Sequence, residues 1–198
     1  MRSFPIWKTV TLGTFSTHDA LRRALLDGTY VRFIDDSGDD EEQRPARTIK
    51  EFDKLLEELL VRTPLAPQRT TLDLVRATLP DLGFTHETHP MIKAEYGSRR
   101  TYAAGPEFHE IADRIWRRGY RLCPPEVGPQ LRLQCPNQQH GLVNVAIEPV
   151  CVSAYYGGRP HIYMMVHDVV GRSIMGNELK YGELCTDDDR VFVKPRKP

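Results

Sequence analysis

The residues best placed to do chemistry sit in and beyond one proline-rich stretch, Leu122-Cys123-Pro124-Pro125-Glu126-Val127-Gly128-Pro129-Gln130-Leu131-Arg132-Leu133-Gln134. Three prolines and a glycine restrict its backbone, so a turn built from it loses little further entropy on binding. Glu126 is the one carboxylate in the stretch and Arg132 the one cation. A rigid acidic turn can present a preorganised acid or base. Arg132 would then serve as an anion clamp, with His167 or Asp168 as supporting groups brought in by a sheet. The plainer alternative is that Glu126 caps a neighbouring helix or pairs with Arg132. One carboxylate alone does not make a catalytic site.

Metal and nucleophile chemistry find less support. His86-Glu87-Thr88-His89 has its histidines at i and i+3 with Pro90 following, whereas a helical metalloprotease site needs i and i+4 to place both ligands on one face. His109 has no second histidine on its helix. His161 and His167 alternate onto one face of a strand but lie about 20 Å apart along it, so they share no ligand without a bend. Asp39-Asp40-Glu41-Glu42 lacks the ligand spacing of a calcium loop. Cys123, Cys135, Cys151 and Cys185 form no close pair, which argues against structural zinc and for reduced cytosolic thiols. There is no glycine-rich phosphate loop and no nucleophile elbow. No metal and no cofactor are expected.

Charge is balanced overall, with Lys+Arg 27 and Asp+Glu 27, which argues against a dedicated nonspecific nucleic-acid binder. It is unevenly spread. Residues 35–60 hold ten acids and four bases, and residues 98–134 hold seven arginines against four acids. Arg99, Arg100, Arg114, Arg117, Arg118 and Arg121 dominate the second segment, interleaved with Tyr96, Tyr102, Trp116 and Tyr120. Arginine favours phosphate and carboxylate recognition, so Arg117, Arg118 and Arg121 join Arg132 as candidate ligand-binding residues. Segments of opposite sign suit a steered contact with a protein partner or a second copy; the Arg99–Arg121 region is also a possible contact for DNA or RNA.

The elements that must position these groups read as α+β. Trp7–Leu12 alternates as a strand; Ser16 caps a helix carrying Ala20, Leu21, Ala24 and Leu25, with Gly28 at its end. Tyr30–Ile34 is a short β-like run, and Asp35–Glu42 a solvated acidic loop. Thr48-Ile49-Lys50-Glu51 is a capping box for a helix with Phe52, Leu55, Leu56, Leu59 and Leu60 on one face. Pro64–Pro67 is hinge-like, dividing a small lobe (residues 1–63) from a main domain (68–198). Thr71–Leu79 reads as a strand, and residues 80–104 as loop. A helix over Pro106–Arg118 offers Phe108, Ile111, Ala112, Ile115 and Trp116 as its apolar face, and Gly119 closes it. Gln130–Cys135, Val143–Val152, His161–Val170 and Val191–Val193 read as strands, mostly antiparallel, with Tyr155–Gly158 at a hairpin tip. The Pro106–Arg118 helix should bury Trp116 against a sheet containing Leu131 and Leu133, with Pro124–Pro129 as the rigid connection between them.

The chain resembles an uncharacterised group of bacterial hypothetical proteins. The resemblance rests on Leu122–Leu133, and on the shorter matches Trp7-Lys8-Thr9, Leu12-Gly13, Leu82-Gly83-Phe84, Gly119 and Val191-Phe192. It implies no activity, since none is known for the group. No secretory h-region and no apolar run near ~20 residues is present, so a cytoplasmic protein without membrane association is expected. The function expected is a non-catalytic binding or regulatory role. A small enzyme with its pocket at Glu126 and Arg132, or a nucleic-acid binder using Arg99–Arg121, are the alternatives.

Overall fold

The computed structural model describes residues 4–27, 54–84, 92–96, 99–103, 106–135, 141–151, 160–168, 171–178 and 189–193. The strands in chain order are β1 (Ile6–Leu12), β2 (Thr70–Ala77), β3 (Ile92–Tyr96), β4 (Arg99–Ala103), β5 (Gly141–Val145), β6 (Val150–Cys151), β7 (Pro160–Asp168), β8 (Gly171–Glu178) and β9 (Asp189–Val193). The helices are α1 (His18–Asp27), α2 (Lys54–Arg62), α3 (Phe108–Arg117) and α4 (Val127–Gln134). The fold is α+β.

Seven strands form one sheet, and β3 with β4 forms a separate hairpin. From β1 the sheet runs through β2 and β9 to β5, then to β7 and β8. Among the described strands every pairing is antiparallel except β5 with β9, which is parallel. β8 covers one edge of β7 over its whole length, so β5 and β6 share the other edge as two pieces of an interrupted strand. The interruption lets Ile147 bridge Cys123: the Cys123 N–H donates to the Ala146 carbonyl at 2.7 Å, and the Glu148 N–H to the Cys123 carbonyl at 3.0 Å.

In a flat sheet β1 and β8 would stand roughly 24 Å apart at ~4.8 Å per strand spacing, while a helix with side chains is only about 10 Å across. Yet α4 touches β1 as well as β7 and β8. The sheet therefore curls around α4. Val127 to Arg132 are all buried, and the helix meets solvent at its last turn, where Gln134 is exposed. On this concave side Val127 and Leu131 share one core with Val10 and Leu12 of β1, Leu21 and Leu25 of α1, Leu59 of α2, and Val143, Met165 and Ile174 of the sheet. The opposite face of the sheet is covered by α3, whose Ile111 and Ile115 pack with Val75, Ala77, Leu79, Leu82 and Phe84.

Several sequence expectations are corrected here. Gln130–Cys135 is not a strand; it belongs to α4. The Leu131/Leu133 alternation misleads because Val127 to Arg132 are buried whatever their type, so the apolar residues do not mark one face of the helix. Pro129 fits inside the helix because a first-turn residue needs no N–H partner. The Pro124–Pro129 stretch therefore turns into a helix rather than linking helix to strand. Trp116 is 59% exposed, not buried. α3 presents the Ile111/Ile115 ridge to the sheet, and Trp116 falls to the side of it. The sheet under α3 is built from β2 and not from Leu131 and Leu133. Residues 80–104 are not all loop, since they contain β3 and β4. β8 was not expected at all. α3 starts two residues later than Pro106, at Phe108, with Glu107 as N-cap and a reciprocal Glu107/Glu110 capping box. α1 is capped by Thr17, whose hydroxyl accepts the Ala20 N–H at 3.2 Å, and not by Ser16. β1, α1 and α2 share the concave core with the C-terminal strands. The capping box at Thr48–Glu51, the helix-ending Gly28, the run Tyr30–Ile34, the loop Asp35–Glu42, His86 to His89 and Tyr155–Gly158 lie outside the described residues.

Candidate functional site

Glu126, Gln130 and Gln134 recur every fourth residue, so the helix aligns them on one side. That side faces the chain leaving β1. Glu126 is 0% exposed, and its carboxylate accepts three N–H groups. Oε1 takes the Gly13 backbone N–H at 2.9 Å and the Gln130 side-chain amide at 2.8 Å, and Oε2 takes the Ala66 backbone N–H at 2.7 Å. The partners come from the β1–α1 connection, the segment after α2, and α4 itself. Gln130 also donates to the Thr14 hydroxyl at 2.7 Å. Gln134 donates to the Thr11 carbonyl at 2.7 Å and accepts the Thr11 N–H at 2.9 Å, so its amide pairs with the outer edge of β1 as a neighbouring strand would. A second amide bond, 2.8 Å from Gln134 to Gln130, links the row.

The other side of α4 lies on β7. A Cβ on Gly128 would stand 2.4 Å from a ring carbon of Tyr163, so only glycine permits this approach. The Tyr163 hydroxyl is 2.6 Å from the Thr63 hydroxyl, which donates to the Leu59 carbonyl at 2.8 Å. The Thr63 carbonyl meets Nε2 of His18 at 2.8 Å. Thus the proline-rich stretch works as a junction joining β1, α1, α2 and β7. Burial pushes the Tyr163 phenol above its usual range, against the opposing effect of its bond to Thr63.

Glu126 therefore reaches no solvent, and its three partners do not include His167 or Arg132. Arg132 is also fully buried, with Nη2 3.3 Å from the Cys135 carbonyl. His167 is half-buried on β7, opposite Gly141 and Arg172. The side chain of Asp168 lies outside the described residues. Cys123 is fully buried, and desolvation pushes its thiol well above the ordinary range. Cys135 is raised by burial too, with Lys8 and Arg132 opposing. Cys151 is exposed. Among the described residues no group of three or more His, Cys, Asp and Glu side chains is placed to hold a metal.

The arginines divide by environment. Arg117 is exposed and pairs with Asp113 at 2.8 Å, one turn back on α3. Arg121 is exposed just beyond the helix. Arg118 lies over the Phe4 ring at 5.6 Å, and Arg114 over Phe84 at 5.3 Å. Gln134, Gly13 and Tyr163 carry structural roles that the sequence reading missed; the four-residue spacing of Glu126, Gln130 and Gln134 was the available signal. No family model, curated protein or solved structure matches the chain. No helix among the described residues is long and apolar enough to cross a membrane.

Proposed function

We propose that the chain is a non-catalytic binding protein whose partner is another protein, met by the outer side of α3 around Trp116, Arg117 and Arg121. The observation that carries this reading is the exposure of Trp116, at 59%, on a helix whose other large apolar residues are turned inward. Tryptophan and arginine are the residues most enriched where protein contacts concentrate their energy. Trp116 offers a large rigid surface at little entropic cost, and its indole N–H can find a partner at a contact rim. The Asp113–Arg117 pair is exposed, contributes roughly 0–1 kcal/mol, and can exchange for a partner's carboxylate.

Nucleic acid fits less well. From Glu107 to Arg121 there are four arginines against three carboxylates, too balanced a charge for the row of phosphates on a nucleic-acid backbone. A small enzyme at Glu126 is disfavoured by the burial of that carboxylate and its three donors. The widely spaced thiols and the resemblance to bacterial proteins favour the bacterial cytoplasm as the setting.

The experiment is a photo-crosslinker placed at His109, beside Trp116 on the same helix, read in the native cytosol and with purified chain alone. A defined adduct that disappears in Trp116→Ser and Arg117→Glu supports the reading, and an adduct to a second copy identifies self-association. An adduct pattern unchanged by both substitutions, or none at all together with a strict monomer by light scattering, overturns it. A crosslink to nucleic acid transfers the face to the alternative reading.

A further inference from the structure

Arg114 and Arg118 lie one turn apart on α3, on the opposite side of the buried Ile111/Ile115 ridge from Trp116. Their guanidinium groups lie over phenyl rings, Arg114 over Phe84 at 5.3 Å and Arg118 over Phe4 at 5.6 Å. A ring holds a guanidinium by a cation–π contact that uses none of its five N–H donors as hydrogen bonds. Among the described residues neither arginine has a carboxylate partner. On the same helix Asp113 pairs with Arg117, and Glu110 accepts the Glu107 N–H.

Both groups converge on Gly83. Nη1 of Arg114 and Nη2 of Arg118 lie 3.4 and 3.8 Å from the point where a Gly83 Cβ would stand. Gly83 has a φ of +91°, a left-handed conformation that side chains rarely adopt, so the chain bears no side chain where the two cations meet. Phe84 follows directly and is buried, which fixes the ring that orients Arg114. The Phe4 N–H donates to the Tyr120 hydroxyl at 2.9 Å, which fixes the ring under Arg118.

From this geometry we infer that Arg114 and Arg118, drawn together beside the backbone of Gly83, form an anion clamp for a phosphate group. One guanidinium satisfies a carboxylate by a bidentate pair. Two monocations converging on one point match a phosphate monoester or inorganic phosphate, with about −1.5 to −2 charge and three terminal oxygens. The site stands apart from the Trp116 surface and does not depend on it.

The test follows the Arg Nε–H signals of the full chain by NMR during titration with inorganic phosphate, O-phosphoserine and acetate at constant ionic strength. Saturable shifts confined to Arg114 and Arg118 are expected with phosphate, and affinity should fall at least about tenfold in Arg114→Gln/Arg118→Gln, the loss of charge-assisted bidentate bonds. Arg118→Lys keeps the charge and should also weaken binding, and it carries the test if the double variant does not fold. Phosphoserine binding as tightly as inorganic phosphate points to a phosphorylated macromolecule or metabolite, and binding of inorganic phosphate alone points to the free ion. Equal response to acetate, unchanged affinity in Arg118→Lys, or absence of any saturable shift overturns the clamp.

Discussion

Replacing Glu126 by glutamine changes one oxygen into an NH2 group and leaves the volume of the side chain almost unaltered. The carboxylate accepts at both oxygens, from Gly13 and Gln130 at one and from Ala66 at the other. The new amide must turn its NH2 toward one of these sites. The less costly orientation places it at the Ala66 N–H, where one bond to a charged acceptor is lost and a part-buried donor faces another donor. A bond to a charged group contributes about 1.5–3 kcal/mol, and an unsatisfied buried donor costs about 1–3 more. The two remaining bonds also lose their charge assistance. The expected destabilisation is about 3–5 kcal/mol, a large share of the ~5–15 kcal/mol that holds a typical domain. Urea unfolding at unchanged slope measures it, and amide exchange at Gly13 and Ala66 locates it. A Glu126→Gln protein within 1 kcal/mol of the parent, about the noise of such comparisons, would show that the carboxylate does not hold these segments together.

Gly128→Ala should destabilise by about 2–3 kcal/mol despite alanine's better helix propensity, because the new methyl must displace Tyr163 or move α4; an unchanged midpoint in denaturant would refute the close approach. Trp116→Ala should cost less than about 1 kcal/mol, as expected of a mostly exposed position away from caps and core, and thermal melting checks it. Stability should fall at alkaline pH. The folded chain keeps Cys123 and Tyr163 protonated above the range in which the unfolded chain releases those protons, so their contribution is complete below the ordinary thiol and phenol values and is lost as pH rises through the raised ones. Unfolding midpoints between pH 8 and 11 report it, and a flat profile would count against it. In the native state at pH 8, Cys151 should react with a thiol reagent long before Cys123 or Cys135.

Amphipathic elements were legible in the sequence and the buried ones were not. β1, α1, α2, β2 and α3 each alternate between water and core, so their periods stand out. α4 is buried from Val127 to Arg132 whatever the residue type, and its Leu131/Leu133 spacing imitates a strand. The same burial explains the reading of Glu126 as a candidate acid. Its isolation in the sequence conceals two of its partners, the backbone groups of Gly13 and Ala66, which carry no side-chain signature. Trp116 reads as inward because it recurs in step with Phe108 and Ala112, whereas its place beside the Ile111/Ile115 ridge decides the matter. The arginine-rich segment was visible as charge. Which of its members pair with Asp113 and which lie on phenyl rings depends on Phe4 and Phe84, distant in sequence from α3.

The position of β9 has a consequence for how the chain is made. β9 spans residues 189–193, yet it lies between β2 and β5, in the interior of the sheet. During synthesis β1, β2 and the central helix emerge long before the strand that joins them to β5, β7 and β8. Until it arrives, the growing chain holds two part-sheets with unpaired inner edges, the form of exposure that invites pairing with other chains. Completion then depends on contacts between residues more than a hundred positions apart, which slows folding. A ribosome-bound chain from which Asp189–Val193 has not yet emerged would need a chaperone or a bound partner to stay single, and emergence of that strand would act as the trigger for closure.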